Sequence, residues 1–301
     1  MSPLAEPLDD HLIEAYRTVA AEVRRRDRDR WLAGLYAPAD RRDHLYALYA
    51  FSAEIGRIRD VVSDPLPGEI RARWWADMIA GNRGEEGASH PVAAALADTI
   101  RRFRLPEADF ERLIDACIFD LYDDPMPDLA ALEAYCNDTT STTIRLAARV
   151  LADGRDPAID DVAAHAGVAH GIMLILRALP RHAARGQVFL PLDLLQRHGL
   201  SRDDVLAGRM TPALADCLAE LRGRAREELA ATRRLIRDIP PEVAPAFLPV
   251  SLVEMCLDRM ERVDYDPYRT PVEAPQWRRQ LRLWRAARRA RKAAARLWHR
   301  V

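Results

Sequence analysis

Apolar residues recur every three to four positions through most long segments of this 301-residue chain, and proline or glycine punctuates the runs. That spacing is the helical period, and strand-like alternation is scarce. Residues 11–26 place Leu12, Ala15, Tyr16, Val19 and Val23 on one face, after Asp9 and Asp10, which are good N-cap residues. Residues 43–62 form a second helix, rich in Leu45, Leu48, Tyr49, Phe51 and Ile55, that Pro65, Pro67 and Gly68 end; a third runs through Trp74, Trp75 and Met78. The pattern predicts further helices over 91–103, 107–121, 129–151, 160–179, 213–236, 241–263 and from 276 onward. The breaks fall at 81–87, Pro106, Pro125/Pro127, 154–157, Pro180, Pro240/Pro241 and 267–275. Only Gln187–Leu190 suits a strand, and it is too short to build on. The expectation is an all-α chain of about ten helices: one domain over 1–270 and a helical appendage over 276–301.

Charge is distributed unevenly along this frame. Of the 45 basic residues all but one are arginine, the exception being Lys292, a bias expected from base composition rather than chemistry. Residues 276–301 hold ten basic residues and no acid, which leaves 35 basic against 46 acidic residues over 1–275, a net −11. The net charge of −1 is therefore a cancellation between an acidic body and a basic tail. The longest run free of charged residues, 162–176, has fifteen residues and contains His165 and His170. It falls short of the roughly 20 residues of a membrane span. The opening MSPLAEPLDD resembles neither a secretory signal nor a basic transit peptide, and the expectation is a cytoplasmic protein. Cys117, Cys136, Cys217 and Cys256 are too dispersed for a zinc site or a disulfide scaffold and read as buried thiols.

Generic catalytic signatures are missing: there is no HExxH, GxSxG, P-loop or GxGxxG. His165 and His170 stand about 140° apart on a helix, which suits packing better than shared ligation. Asp120, Asp123 and Asp124 precede Pro125 and read on spacing alone as a solvated helix end.

Two segments carry more specific information. LYALYAFSAEIGRIRD at 45–60 and GVAHGIMLILRALPRHAARGQVFLPLDLLQRHGL at 167–200 together resemble the two signature regions of the squalene/phytoene synthases, the head-to-head trans-prenyltransferases. Arg41, RWWADMI at 73–79, His90-Pro91, Asp120-Leu121, Tyr135-Cys136 and PAFLPVSL at 245–252 fall in family order around them. The resemblance spans about residues 10–270 and implies a single isoprenoid-synthase-like bundle around a central cavity. It also implies Mg²⁺ held by two aspartate-rich motifs that ionise an allylic diphosphate, because hard divalent ions need several carboxylate oxygens.

At both motifs the chain departs from that pattern. Where the family has Asp-Asp-x-x-Asp the chain has Gly56-Arg57-Ile58-Arg59-Asp60, and where it has Asp-x-x-x-Asp the chain has Ala178-Leu179-Pro180-Arg181-His182. One carboxylate, Asp60, remains among cations that oppose metal binding. The stretch 176–200, YCNDTTST at 135–142 and RVDYDP at 262–267 resemble the branch of the family found among mitochondrial complex I assembly factors. The resemblance implies a pseudoenzyme with no catalytic residues, no cofactor and no bound metal, which assists respiratory complex I subunits or assembly intermediates. The alternative is an active prenyltransferase condensing farnesyl or geranylgeranyl diphosphate, for which Mg²⁺ would be required. Arg57, Asp60, Arg177, Arg181, His182 and Arg185 are candidates to hold a lipid head or prenyl diphosphate without metal, with Phe51 and Met173 near its chain. The competing expectation is that these arginines pair with local acids.

The tail reads as one basic helix with a ragged apolar stripe. Trp277, Arg278, Arg282, Trp284, Arg285, Arg289, Lys292 and Trp298 are its candidate contacts, and arginines flanking indoles suit an anionic membrane surface. The tail is thus expected to place the protein on the cytoplasmic face of the inner membrane. Docking onto its own acidic body and binding nucleic acid are the rivals, and no nucleic-acid partner is expected.

Overall fold

A computed structural model describes residues 9–298, with side chains through residue 291. The helix α1 (Asp10–Arg26) starts where Asp9 accepts the Leu12 amide at 2.7 Å, and it buries Ala15, Tyr16, Val19 and Val23 as the spacing predicts. A short α2 (Arg28–Gly34) follows at once, capped by Asp27, and then α3 (Ala39–Ile55), whose buried residues occupy most of its circumference. Gly56 ends α3 and a one-turn α4 (Ile58–Val61) re-forms beyond it, so the predicted helix over 43–62 is two helices. The body continues through α5 (Pro65–Ile79), α6 (Gly84–Ser89), α7 (Pro91–Phe103) and α8 (Glu107–Leu121), with α1, α3 and α7 packed mutually.

The segment predicted as one helix over 129–151 is α9 (Leu129–Cys136), a π-helical turn at Asn137–Ser141, and α10 (Thr142–Leu151). Hydroxyls serve the carbonyls of this wider turn: Thr142 donates to the Asn137 carbonyl at 3.1 Å and Thr139 to that of Tyr135 at 2.7 Å. Against it lies α11 (Asp160–Ala183), the long central helix. Pro180 does not end this helix as expected. It sits in the last turn, where the Leu176 carbonyl forgoes its usual amide partner, and the helix runs on to Ala183. Among the described helices α11 is the one long and apolar enough to cross a membrane, and 72% of its most apolar window is buried in the bundle. Its apolar surface therefore already has a protein partner.

Two short helices, α12 (Leu192–Arg197) and α13 (Arg202–Leu206), lead to α14 (Pro212–Leu235), which packs along α11. The region predicted as one helix over 241–263 is segmented. It comprises 3₁₀ turns at Pro241–Val243 and Leu248–Leu252, with α15 (Ala244–Phe247) between them and α16 (Val253–Met260) after. Among the described residues there is no strand, and Gln187–Leu190 is loop.

The tail helix α17 (Gln276–Trp298) packs against the body, the docking that the sequence left open as a rival to surface binding. Leu283 and Ala287 are buried in a small separate core with Leu32, Ala33, Leu248 and Leu252. Arg279 pairs with Asp29 at 3.0 Å, and Arg282 pairs with Glu254. Arg282, expected at a membrane or partner surface, is thus committed to the protein itself. Trp277 and Trp284 remain 60% and 46% exposed, and Arg278, Arg285 and Arg289 are exposed. Self-docking and an outward basic face are therefore two sides of one helix. The Lys292 and Trp298 side chains lie outside the described residues.

Glycine decides how closely α11 meets the π-turn. A Cβ on Gly167 would stand 2.5 Å from both N and Cα of Ser141, and one on Gly171 would meet Cys136 Sγ at 2.6 Å. Gly167→Ala should cost about 3 kcal/mol, since backbone cannot yield as a side-chain tip can. Gly223→Ala, in α14 with nothing within 4 Å, should instead stabilise by about 0.5–1 kcal/mol. Thermal unfolding of both variants should show the melting temperature falling for the first and rising slightly for the second.

Candidate functional site

The ends of α3 and α11 face each other across a cavity of about 230 Å³, closed by α8, α9, the π-turn and the loop at 187–189. The two signature segments thus meet as their resemblance implies. Gly56 and Asp60 form one wall, and Ala178 and His182, one turn apart on α11, form the other. Much of the remaining lining is polar: Arg30, Arg59 and Arg181, the threonines 139, 140 and 143, and Tyr135, Asp120 and Gln187.

The six predicted ligand-binding residues divide. Asp60, Arg181 and His182 line the cavity, and Arg185 reaches across to pair with Asp60 at its edge. Arg57 is exposed and not part of the lining. Arg177 turns to Asp29 on α2, at 3.8 Å, and is likewise not part of it. Phe51 and Met173, expected beside a bound chain, are 1% and 2% exposed. Phe51 packs edge-on against Trp75 and Phe110 within the core, and neither it nor Met173 is part of the cavity lining.

Burial sets the protonation states. The His182 imidazole lies tilted against the Phe189 ring, 4.6 Å between centres, and desolvation, aided by Arg181 and Arg185, lowers its pKa to about 4. It is neutral near pH 7. Asp120 is the group whose placement overturns its sequence reading: it is no solvated helix end. Its Oδ2 accepts from Tyr135 at 2.9 Å, while its Oδ1 is buried with no hydrogen-bond partner. Desolvation pushes this carboxyl up to about 7 against the pull of the Tyr135 hydrogen bond, and the charges of Asp123 and Asp60 push the same way. Cys117 and Cys136 also reach the cavity, and burial raises both thiols to about 12, so neither is a thiolate nucleophile at neutral pH. All four cysteines are free and buried.

Other candidates lie elsewhere. His165 bonds Glu228 at 2.5 Å between α11 and α14, while His170 is buried and lowered to about 3 by desolvation, as packing residues should be. Asp123 binds Arg59 through two contacts, at 2.6 and 3.2 Å. The cavity residue the sequence hid is Arg30. It falls in the charged run at 24–30, which looks like solvated surface, yet its guanidinium lies 5.3 Å from the Tyr49 ring centre and only 13% of its side chain is exposed.

These donors do not fit a magnesium cluster. The lining offers two carboxylates, one paired with Arg185 and one holding its proton up to about pH 7. Among the described residues no group of three His, Cys, Asp or Glu side chains is placed to hold a metal ion. Magnesium requires several ionised oxygens at once. What the arrangement can do is donate hydrogen bonds to a compact anionic group through guanidinium groups.

Known proteins bear directly on this geometry. Residues 23–285 match the squalene/phytoene synthase family. The chain is 31% identical over 251 residues to bovine NADH dehydrogenase (ubiquinone) complex I, assembly factor 6, covering 83% of this chain and 75% of that one. The human protein of that name is 30% identical over the same shares. Phytoene synthase from Thermus thermophilus is 28% identical over 264 residues, covering 85% of this chain and 86% of the enzyme. In fold it resembles a crystal structure of a dehydrosqualene synthase, with a TM-score of 0.79 at 17% identity, over 93% of this chain and 98% of that one. The all-α bundle is thereby placed among isoprenoid synthase folds.

Asp120 gives the site a pH signature. An unfolded aspartate titrates near about 3.9, so between there and about 7 the folded chain holds a proton that the unfolded chain lacks. Stability attributable to this group therefore falls as pH rises through that window. Melting temperatures of wild type and Asp120→Asn, compared across it, should diverge in favour of the variant and run parallel above about pH 7. The opposite trend from His182 is common to both chains and cancels.

Proposed function

The chain belongs to the squalene/phytoene synthase family, and from that premise we propose that it acts as a non-catalytic member, an assembly or stability factor for NADH:ubiquinone oxidoreductase. The observation that carries this reading is the composition of the two facing walls. Gly56 and Ala178 present no donor, His182 is neutral, and Asp60 is paired with Arg185. The family's reaction makes a diphosphate leave, and that charge must be met by metal ions or an equivalent field. One carboxylate satisfied by arginine and a second, Asp120, that holds its proton up to about pH 7 supply neither the ions nor their ligands. Similarity to chains named as complex I assembly factors, over 83% of this chain, supports the same conclusion.

The cavity is smaller than the roughly 300–1,000 Å³ of ordinary ligand pockets, which favours one headgroup over two prenyl chains side by side. In this reading Arg181, which has no acidic partner among the described residues, is the main donor to a lipid head or prenyl diphosphate without metal. Arg30 and Arg59 add their field while holding Asp27 and Asp123, and Thr139, Thr140 and Thr143 complete the polar wall. The outward side of α17, with Trp277, Arg278, Trp284, Arg285 and Arg289, rests on anionic lipid at the cytoplasmic face of the inner membrane. The assembly intermediates of the complex would be met there.

A second reading, prenyltransferase activity, is favoured by the 28% identity to phytoene synthase. Incubation with farnesyl and geranylgeranyl diphosphates and Mg²⁺ separates the two. We expect no diphosphate release above the protein-free rate, whereas turnover of about 1 s⁻¹ or faster, ordinary for enzymes, would overturn the proposal. Deletion of the gene should lower NADH:quinone activity of the membranes, and the wild-type chain should restore it.

A further inference from the structure

The tail helix is not the only element with exposed arginines lacking an acidic partner among the described residues, and another sits beside it. α1 ends in Arg24-Arg25-Arg26 and α2 begins with Arg28. Arg25 and Arg26 pair with Glu22, and Arg26 also with Glu54. Arg24 and Arg28 are exposed, and neither has an acidic partner among the described residues. Both line a shallow groove between α1 and α2 that also exposes part of Trp31. The Arg24 guanidinium lies 5.1 Å from the centre of the Trp31 ring.

That groove adjoins the docking place of α17. Trp31 packs against the small core that holds Leu283 and Ala287, and Asp29, next to Arg28, is the anchor of Arg279. From α17 come Arg278, Arg285, Arg288, Arg289 and Arg291, exposed and without an acidic partner among the described residues. The arrangement of arginine over indole recurs twice more there, Arg278 over Trp277 at 5.2 Å and Arg288 over Trp284 at 5.3 Å. Elsewhere most arginines of this acidic body are taken up by carboxylates. Exposed arginines without an acidic partner among the described residues also occur elsewhere, Arg71, Arg73, Arg102 and Arg104 among them. Those of α1, α2 and α17 are set apart by standing on neighbouring elements with guanidinium groups over indole rings.

We propose that the C-terminal turn of α1 and the outward face of α17 form one composite docking surface for anionic phospholipid, joined through α2. The proposal rests on the membrane reading of α17 and extends it to arginines 24 and 28, which belong to the folded body. Multiple fixed guanidinium groups act additively on a negatively charged leaflet, and indoles beside them suit the headgroup layer. A helix tethered by a flexible linker would bind in any orientation. A surface shared between tail and body allows only one, because the Asp29–Arg279 pair fixes the tail to the body.

The test is sedimentation of the full chain with vesicles of phosphatidylcholine alone and with about 30% phosphatidylglycerol, the anionic lipid supplying the surface charge. One variant carries Arg24→Gln and Arg28→Gln, the other Arg285→Gln, Arg288→Gln and Arg289→Gln. All five side chains are exposed, and unchanged melting temperatures confirm intact folding. The wild type should bind the anionic vesicles selectively. The first variant should bind about 30-fold more weakly and the second more than 100-fold. Wild-type binding by the first variant with loss in the second would overturn the composite surface and leave the tail reading standing. Wild-type binding by the second variant, or no preference of the wild type for anionic vesicles, would overturn both.

Discussion

The constraint on which the rest depends is the contact of α11 with α9 and the π-turn, where Gly167 lets backbone meet the backbone of Ser141 and Gly171 makes room for the side chains of Cys136 and Thr140. Everything at the cavity is referred to that contact. The π-turn carries the threonines of one wall, and α11 carries Ala178, Arg181 and His182 on the other. A single methyl group at position 167 would drive the two apart. The extra residue of a π-turn leaves carbonyls without their normal amides, and threonine hydroxyls at 139, 142 and 143 accommodate them locally. The cost of an irregular turn is thus met within the segment that forms it, and the cavity gains a polar wall.

Much of this was legible in the sequence, and the reasons for the exceptions are physical. Period 3.6 located the long helices because each buries a continuous stripe, as Val19 and Val23 do on α1. Pro180 misled because a proline near a helix end forfeits one hydrogen bond without forcing the chain out of the helix. The π-turn left no break because its residues keep helical torsion angles on either side. Arg30 and Asp120 were hidden for a shared reason: charged residues in charged runs look solvated until a tertiary neighbour covers them. Arg30 is covered by the Tyr49 ring, and Asp120 by Tyr135 and the loop at 187. The motif positions were legible because resemblance to the family marked them, and the structure places Gly56, Asp60, Ala178 and His182 around one space.

Electrostatics unites the cavity and the tail. In each, arginine meets an acid at the edge and is left unpaired further out. Arg185 satisfies Asp60, while Arg181 has no acidic partner among the described residues. Arg279 and Arg282 satisfy Asp29 and Glu254, while the arginines on the outer side of α17 meet no carboxylate among the described residues. Asp29 touches both systems, since Arg177 of α11 and Arg279 of α17 share its carboxylate. The tail helix and the helix that forms one wall of the cavity are therefore held by a common acid.

The arginine bias, uninformative about function, has a practical consequence once α17 is in place. The chain's single lysine, Lys292, lies on that helix. Apart from the amino terminus, amine-directed reagents have one address on the whole protein. A partner captured through that lysine is therefore captured beside the tail. Acylation of that one nitrogen would remove charge from the basic helix while leaving every guanidinium group of the body and the cavity untouched.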